Sequence, residues 1–173
     1  MPRVNRTSRV LLAVVAGGIP AALVWWAFAE PSRWLATERG LVLTEGNATG
    51  DFQVVAVFVI VGIVFGVLTG VAVHRLTRPG RWETVVGLAA ASSAASLVCW
   101  RLGIWLGPPP PEDVKGLEVG DEVSAQFGVD GIVPFLVWPL VAVLSYTLAL
   151  YLSSDGEEDR EEYPDEVSER SEP

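Results

Sequence analysis

Val54-Val-Ala-Val-Phe-Val-Ile-Val-Gly-Ile-Val-Phe-Gly-Val-Leu-Thr-Gly-Val-Ala-Val73 is the stretch that decides the fold. It carries no charge, and Thr69 is its single polar side chain. Apolar and polar residues do not alternate along it, which excludes a half-exposed strand. With Phe52 and Gln53 it forms a run over 52–73. A helix of that length rises roughly 30 Å, the thickness of a bilayer's hydrocarbon core. Three more runs of the same kind lie at 10–28, 85–106 and 131–152, each of 19 to 22 residues, and within the runs Arg101 is the one formal charge. Hydrocarbon leaves every backbone polar group to find an internal partner, which helices provide. The expected fold is an all-α integral membrane protein, a four-transmembrane-helix bundle over residues 1–152.

Arg3, Arg6 and Arg9 precede the first run, as in a secretory signal. The run is long for such a signal, however, and Trp25, Trp26 and Phe28 stand where small residues would mark cleavage. It is read as a retained span. Pro20 and Pro139 each remove a backbone donor and should bend their helices, whereas Pro134 falls in a first turn, where proline is tolerated.

The net charge of −9 is uneven: residues 153–173 hold ten acids and two Arg, while the rest holds eleven acids and ten Lys or Arg. The polar tail over 153–173 lacks apolar periodicity and is expected to be disordered. Arginines in short links set orientation. Arg3, Arg6 and Arg9 at the N-terminus, with Arg75, Arg78 and Arg81 in the middle link, outnumber Arg33, Arg39 and Lys115 in the two other loops. Both termini are therefore expected in the cytoplasm, and the arginines are read as topology determinants in contact with anionic headgroups, not as a nucleic-acid site. Trp25, Trp26, Phe52, Trp100 and Trp105 should anchor the outer interface, with Trp82 and Tyr151 at the inner one. Eleven Arg against one Lys, with abundant Ala, Val and Gly, suggests a high-GC bacterial genome and hence a bacterial cytoplasmic membrane.

Small residues recur at every fourth position: Gly62, Gly66 and Gly70 in the second run, and Gly87, Ala91, Ala95, Cys99 and Gly103 in the third. Such stripes let helix backbones approach closely, either within one chain or between copies. The favoured expectation is that the second and third helices pack on each other as an antiparallel hairpin. Cys99 is alone, so no intrachain disulfide forms, and it is read as a packing residue. Ser92, Ser93 and Ser96 are expected to bond back to their own helix or across to a neighbour.

Arg101 is the candidate intramembrane charge, with Glu30, Asp51 and Asp130 as possible partners near the same end. A structural ion pair or a snorkelling anchor is preferred to a substrate site. The outer loops, 30–51 and 107–130, carry ten acids against three bases. Gly40–Thr44 and Val123–Val129 have strand character, so a small extracytoplasmic β element is expected. His74, the single histidine, has no companions that would make a metal site. Asn5 and Asn47 match the glycosylation pattern by chance in a bacterial protein. No catalytic, metal or cofactor motif is present, and no cofactor is expected.

Trp100-Arg-Leu-Gly-Ile-Trp-Leu-Gly-Pro108, Gly66-Val-Leu-Thr-Gly-Val-Ala-Val73 and Trp138-Pro139 are together similar to a family of actinobacterial four-helix membrane proteins described only as a domain of unknown function. The resemblance covers roughly residues 46–152. It implies a cytoplasmic-membrane protein with two outer loops, with Trp100, Arg101 and Gly103 in the family's pattern. It implies no activity or substrate. The expected function is non-enzymatic, structural or accessory to an envelope complex. Its partners would be the lipid bilayer and a membrane protein or a second copy of the chain. The alternative is a small oligomeric transporter or channel. Proton-coupled exporters of this size use an embedded acid, and no Asp or Glu lies inside any run.

Overall fold

A computed structural model describes residues 6–43, 48–77, 80–114 and 116–161. Four helical spans are long and apolar enough to cross a membrane, and a small sheet sits between them in sequence. The first span is α1 (Arg6–Ala16) followed by α2 (Gly18–Phe28), interrupted at Gly17. Pro20 explains the break: it has no N–H to offer the Ala16 carbonyl, and its ring crowds that oxygen. The second and third spans are α3 (Ala48–Leu76) and α4 (Trp82–Leu106). The fourth is α5 (Val133–Glu161), helical on both sides of Pro139.

α5 runs on past the fourth apolar run, helical from Ser153 to Glu161. An existing helix extends without paying again for nucleation, and the glutamates are good helix formers. The rest of the acidic tail, 162–173, lies outside the described residues, as do Arg3 and Arg78.

Alanines share the interior of the bundle with a few large aromatic side chains, and leucines face outward. Ala21, Ala22, Ala95 and Ala142 are fully buried, while Leu140, Leu144 and Leu148 line the outer face of α5 at about 60 % exposure. Opposite that stripe, Trp138, Ala142 and Tyr146 face the interior. Lipid tails are as apolar as leucine, so burying leucine gains little, and close packing of small residues holds the helices together.

The small-residue stripes do not pair with each other as expected. α3 packs chiefly on α5, α4 packs on α1, α2 and α5, and α3 meets α4 only sparsely. A Cβ on Gly66 would come 2.9 Å from Cβ of Val141, and one on Gly70 would strike the Ala142 carbonyl. On α4, a Cβ on Gly103 would overlap the Trp25 ring, and one on Gly87 would press against Leu11. Ala95 meets Gly18 of α2, where a Cβ would lie 2.5 Å from the Ala95 carbonyl oxygen. The short link after α3 makes α3 and α4 antiparallel, but it does not dictate which face each helix buries.

Three antiparallel strands, in the order β2-β1-β3, form the cap: β1 (Arg33–Thr37), β2 (Gly40–Leu43) and β3 (Glu122–Ser124). Gly40 (φ +118°) closes the β1–β2 turn in a conformation that favours glycine. The expected strand at Gly40–Thr44 corresponds to β2, while Val123–Val129 is extended into a ladder only at its start. β1 was not anticipated. Arg-Trp-Leu-Ala-Thr has little strand signature of its own, and it is held from both sides, Trp34 lying opposite Leu43 and Val123.

The glycine contacts rank three substitutions. Gly62, whose added Cβ would sit 3.6 Å from the Trp138 nitrogen, should accept alanine. Gly66→Leu and Gly70→Leu should force α5 off α3 at a cost of about 1–3 kcal/mol or more from overpacking. Unfolding of the three variants in mixed detergent, followed by circular dichroism, checks this order.

Candidate functional site

The cap is tied to the bundle at Ser32. This residue is 2 % exposed, its hydroxyl donates to Asp51 Oδ1 at 2.7 Å, and its carbonyl accepts from the Ala125 N–H at 2.7 Å. Gly50 makes the approach possible, because a Cβ there would collide with the Ser32 backbone at 2.5 Å. Asp51 stands in the first turn of α3, where a carboxylate is favoured by the helix dipole. One short contact set thus joins both loops to the start of α3.

Between these parts lies a cleft of about 730 Å³. α3 supplies Asp51, Phe52, Val54 and Val55, the sheet supplies Trp34 and Leu41, and the second loop supplies Pro111, Glu112 and Asp130. Its chemistry is apolar with three exposed carboxylates. That combination suits a ligand or segment that is greasy and cationic, and contains no nucleophile with an adjacent base. Among the described residues no group of three His, Cys, Asp or Glu converges to hold a metal ion. The loop acids were visible in the sequence. The cleft was not, since it depends on Trp34 of the unanticipated β1.

A layer of aromatic rings meets this cleft at Val54. Trp25 Nε1 donates to the Val54 carbonyl at 2.9 Å, and the Trp25 ring lies edge-on to Phe58 at 5.0 Å and against Phe127 at 5.3 Å. Phe58 meets Phe135 at 5.4 Å, and Phe135 meets Trp100 at 5.6 Å. Rings from α2, α3, α5 and α4 therefore run in series across the bundle. Trp25 was expected at the interface and is instead fully buried, because Gly103 leaves room for it. Trp100 is half-buried, whereas Trp26, Phe52 and Trp105 are exposed, as are Trp82 and Tyr151 at the opposite end.

Arg101 is exposed and makes no ion pair among the described residues, so pairing with Glu30, Asp51 or Asp130 is not what the structure shows. It shares an outward face of α4 with Trp105, which is 81 % exposed, and lines a cavity of about 500 Å³ with Pro108 and Gln126. One helical turn separates the two side chains, an arrangement suited to a cation and an indole at a lipid–water boundary.

Deeper in the bundle the buried polar residues are neutral. Ser92 and Ser93 donate back to the Leu88 and Ala89 carbonyls at 2.7 and 2.9 Å. Ser96 Oγ and Tyr146 Oη are buried without a partner among the described residues. Cys99 is buried in the same core. At the far end, His74 Nε2 lies 3.1 Å from Ser153 Oγ, joining the last turn of α3 to α5. Arg6, Arg9, Arg75 and Arg81 are all exposed; Arg81 pairs with Glu83 at 3.3 Å.

Two substitutions separate anchoring from core packing. Arg101→Gln should leave thermal stability in detergent within about 0.5 kcal/mol and membrane abundance unchanged. Trp25→Phe leaves a gap beside Gly103 and removes a buried hydrogen bond, and should cost about 1–3 kcal/mol. Parallel thermal unfolding of both variants measures the difference.

No protein-family model matches the sequence, and no curated protein and no solved structure matches it.

Proposed function

We propose that the chain is a non-enzymatic multi-pass protein of the bacterial cytoplasmic membrane, structural or accessory to an envelope complex, which holds its partner at the cleft beneath the three-stranded cap. The observation that carries this reading is the aromatic series from Trp25 to Trp100, which fills the bundle next to the cleft. A site that is open on one side and stopped by packed rings serves binding better than passage. The partner's matching surface would be a membrane-proximal segment that is apolar and basic, complementary to Phe52, Val55 and the carboxylates of Asp51, Glu112 and Asp130.

Orientation belongs to the same proposal. Arg6, Arg9, Arg75 and Arg81 lie at the end away from the sheet, and the positive-inside tendency would put that end, with both termini, in the cytoplasm. Membership of the actinobacterial four-helix family would agree: Gly103 of the similar stretch makes room for Trp25, which gives that stretch a packing role.

A small oligomeric transporter is the second reading, favoured by the unpartnered hydroxyls of Ser96 and Tyr146 within the bundle. The two readings diverge in reconstitution and in crosslinking. A photoreactive side chain in place of Val55 or Leu41 should give one discrete adduct in intact cells, while one in place of lipid-facing Leu144 should give none. The purified protein in liposomes should pass no ions or small solutes. Solute flux by the protein alone, reduced by Ser96→Ala, would replace the accessory reading with the transporter.

A further inference from the structure

The arginine-rich end of the bundle holds a cavity of about 560 Å³ that the cleft-binding role does not use. Its walls come from three helix ends. The first turn of α1 contributes Arg6, Thr7 and Ser8; the start of α4 contributes Arg81, Glu83 and Thr84; the end of α3 closes it with Leu76 and Thr77. The 25-residue α4 begins at this cavity, and the described N-terminal turn of α1 lies on its wall. The start of α4 presents unpaired backbone N–H groups and partial positive charge. At α4 no side chain caps the first turn.

Thr84 points independently to a ligand. It is only 4 % exposed, it lines the cavity, and its hydroxyl forms no hydrogen bond among the described residues. Threonines within a helix normally return their hydroxyl to a carbonyl one turn back, as Thr69 does to Phe65 at 2.7 Å. For Thr84 the residue one turn back is Gly80, which precedes the helix. Arg6 makes no ion pair among the described residues, and Arg81 is held only by Glu83, at the surface. Two guanidinium groups, four hydroxyls (that of Thr77 already donating to Val73) and the start of α4 meet one carboxylate, so the balance favours an anion.

We propose that this cavity binds a phosphate group, with Arg6 and Arg81 taking its oxygens, Thr84 donating from the buried side, and Glu83 releasing Arg81 as the anion enters. Planar guanidinium groups match phosphate oxygens through paired, charge-assisted hydrogen bonds. The phosphate belongs either to an anionic lipid headgroup reaching between α1 and α4 or to a phosphate free in solution. The proposal stands apart from the accessory reading and survives its failure.

The test uses the full chain in nanodiscs. One arm compares phosphatidylglycerol with phosphatidylcholine as the lipid. The other keeps phosphatidylcholine and adds inorganic phosphate against chloride at equal ionic strength. Thermal midpoint and affinity are read in both, since a ligand of the folded state raises the midpoint. A rise in the first arm alone identifies a lipid headgroup; a rise in the second identifies free phosphate. In the responding arm, Arg6→Gln with Arg81→Gln should weaken binding roughly tenfold or more, and Thr84→Val several-fold. Glu83→Gln should tighten it, a gain that a folding defect cannot mimic. Arg9→Gln with Arg75→Gln removes equal charge outside the cavity and should leave affinity near that of the natural chain. No rise in either arm, or equal losses in the two double variants, overturns the proposal.

Discussion

Trp25 is the residue around which the bundle is assembled. An indole inside a membrane bundle needs space for its ring and an acceptor for its N–H. α4 gives the space at Gly103, and α3 gives the acceptor at the Val54 carbonyl. Phe58 and Phe127 then close on the ring from a span and from a loop. One side chain on α2 thereby sets the height and distance of α3 and α4 and fixes the loop above them. Val54 also lines the cleft, so the placement of Trp25 bears directly on the surface proposed for binding. Few other contacts join so many parts of the chain.

Lipid explains why the spans were easy to read and their neighbours were not. Length and hydrocarbon character are properties of one segment, so 52–73 and 85–106 were recognisable alone, and α3 and α4 overrun those limits by about a turn or less at each end. Contact between segments is a property of pairs. Gly66 and Gly87 announce only that some backbone or large side chain comes close. They do not say that the first meets Val141 and the second Leu11. With leucine as content in lipid as in a core, no solvent-driven preference selects the buried face, and shape must choose it. The same ambiguity misled the reading of Trp25: a tryptophan near a span's end suits an interfacial belt, and only its complementary glycine on another helix marks it as interior.

The cap shows the opposite limit. Its strands are short, and β1 carries no pattern strong enough to declare itself. Its order comes from neighbours far along the chain: Leu43 and Val123 flank Trp34, and Ser32 is fixed by Asp51 and Ala125. The acids of the two loops could be counted from the sequence, but three of them became a site only through pairings across about ninety residues. Arg101 has two structural readings from the sequence, an ion pair and a snorkelling anchor. The structure shows it exposed with no ion pair among the described residues. A long side chain near a helix end reaches water at little cost and needs no counter-ion.

The two ends of the bundle therefore differ in kind. At the sheet-bearing end, carboxylates ring an apolar cleft; at the other, guanidinium groups and the start of α4 border a polar cavity. Each helix adds to this division through its direction. α1 and α4 run from the arginine-rich end, to which α4 brings its positive terminus, while α3 and α5 begin beneath the cap. The Glu83–Arg81 pair is informative in this setting. A carboxylate in the first turn of α4 favours that helix, and it also occupies an arginine that a free anion would otherwise engage. The pair lies at the surface, where screening by water keeps its hold weak. A group that fills the cavity has only to outcompete a partner already half in solvent, so a resident anion and an intact helix start are compatible at this end.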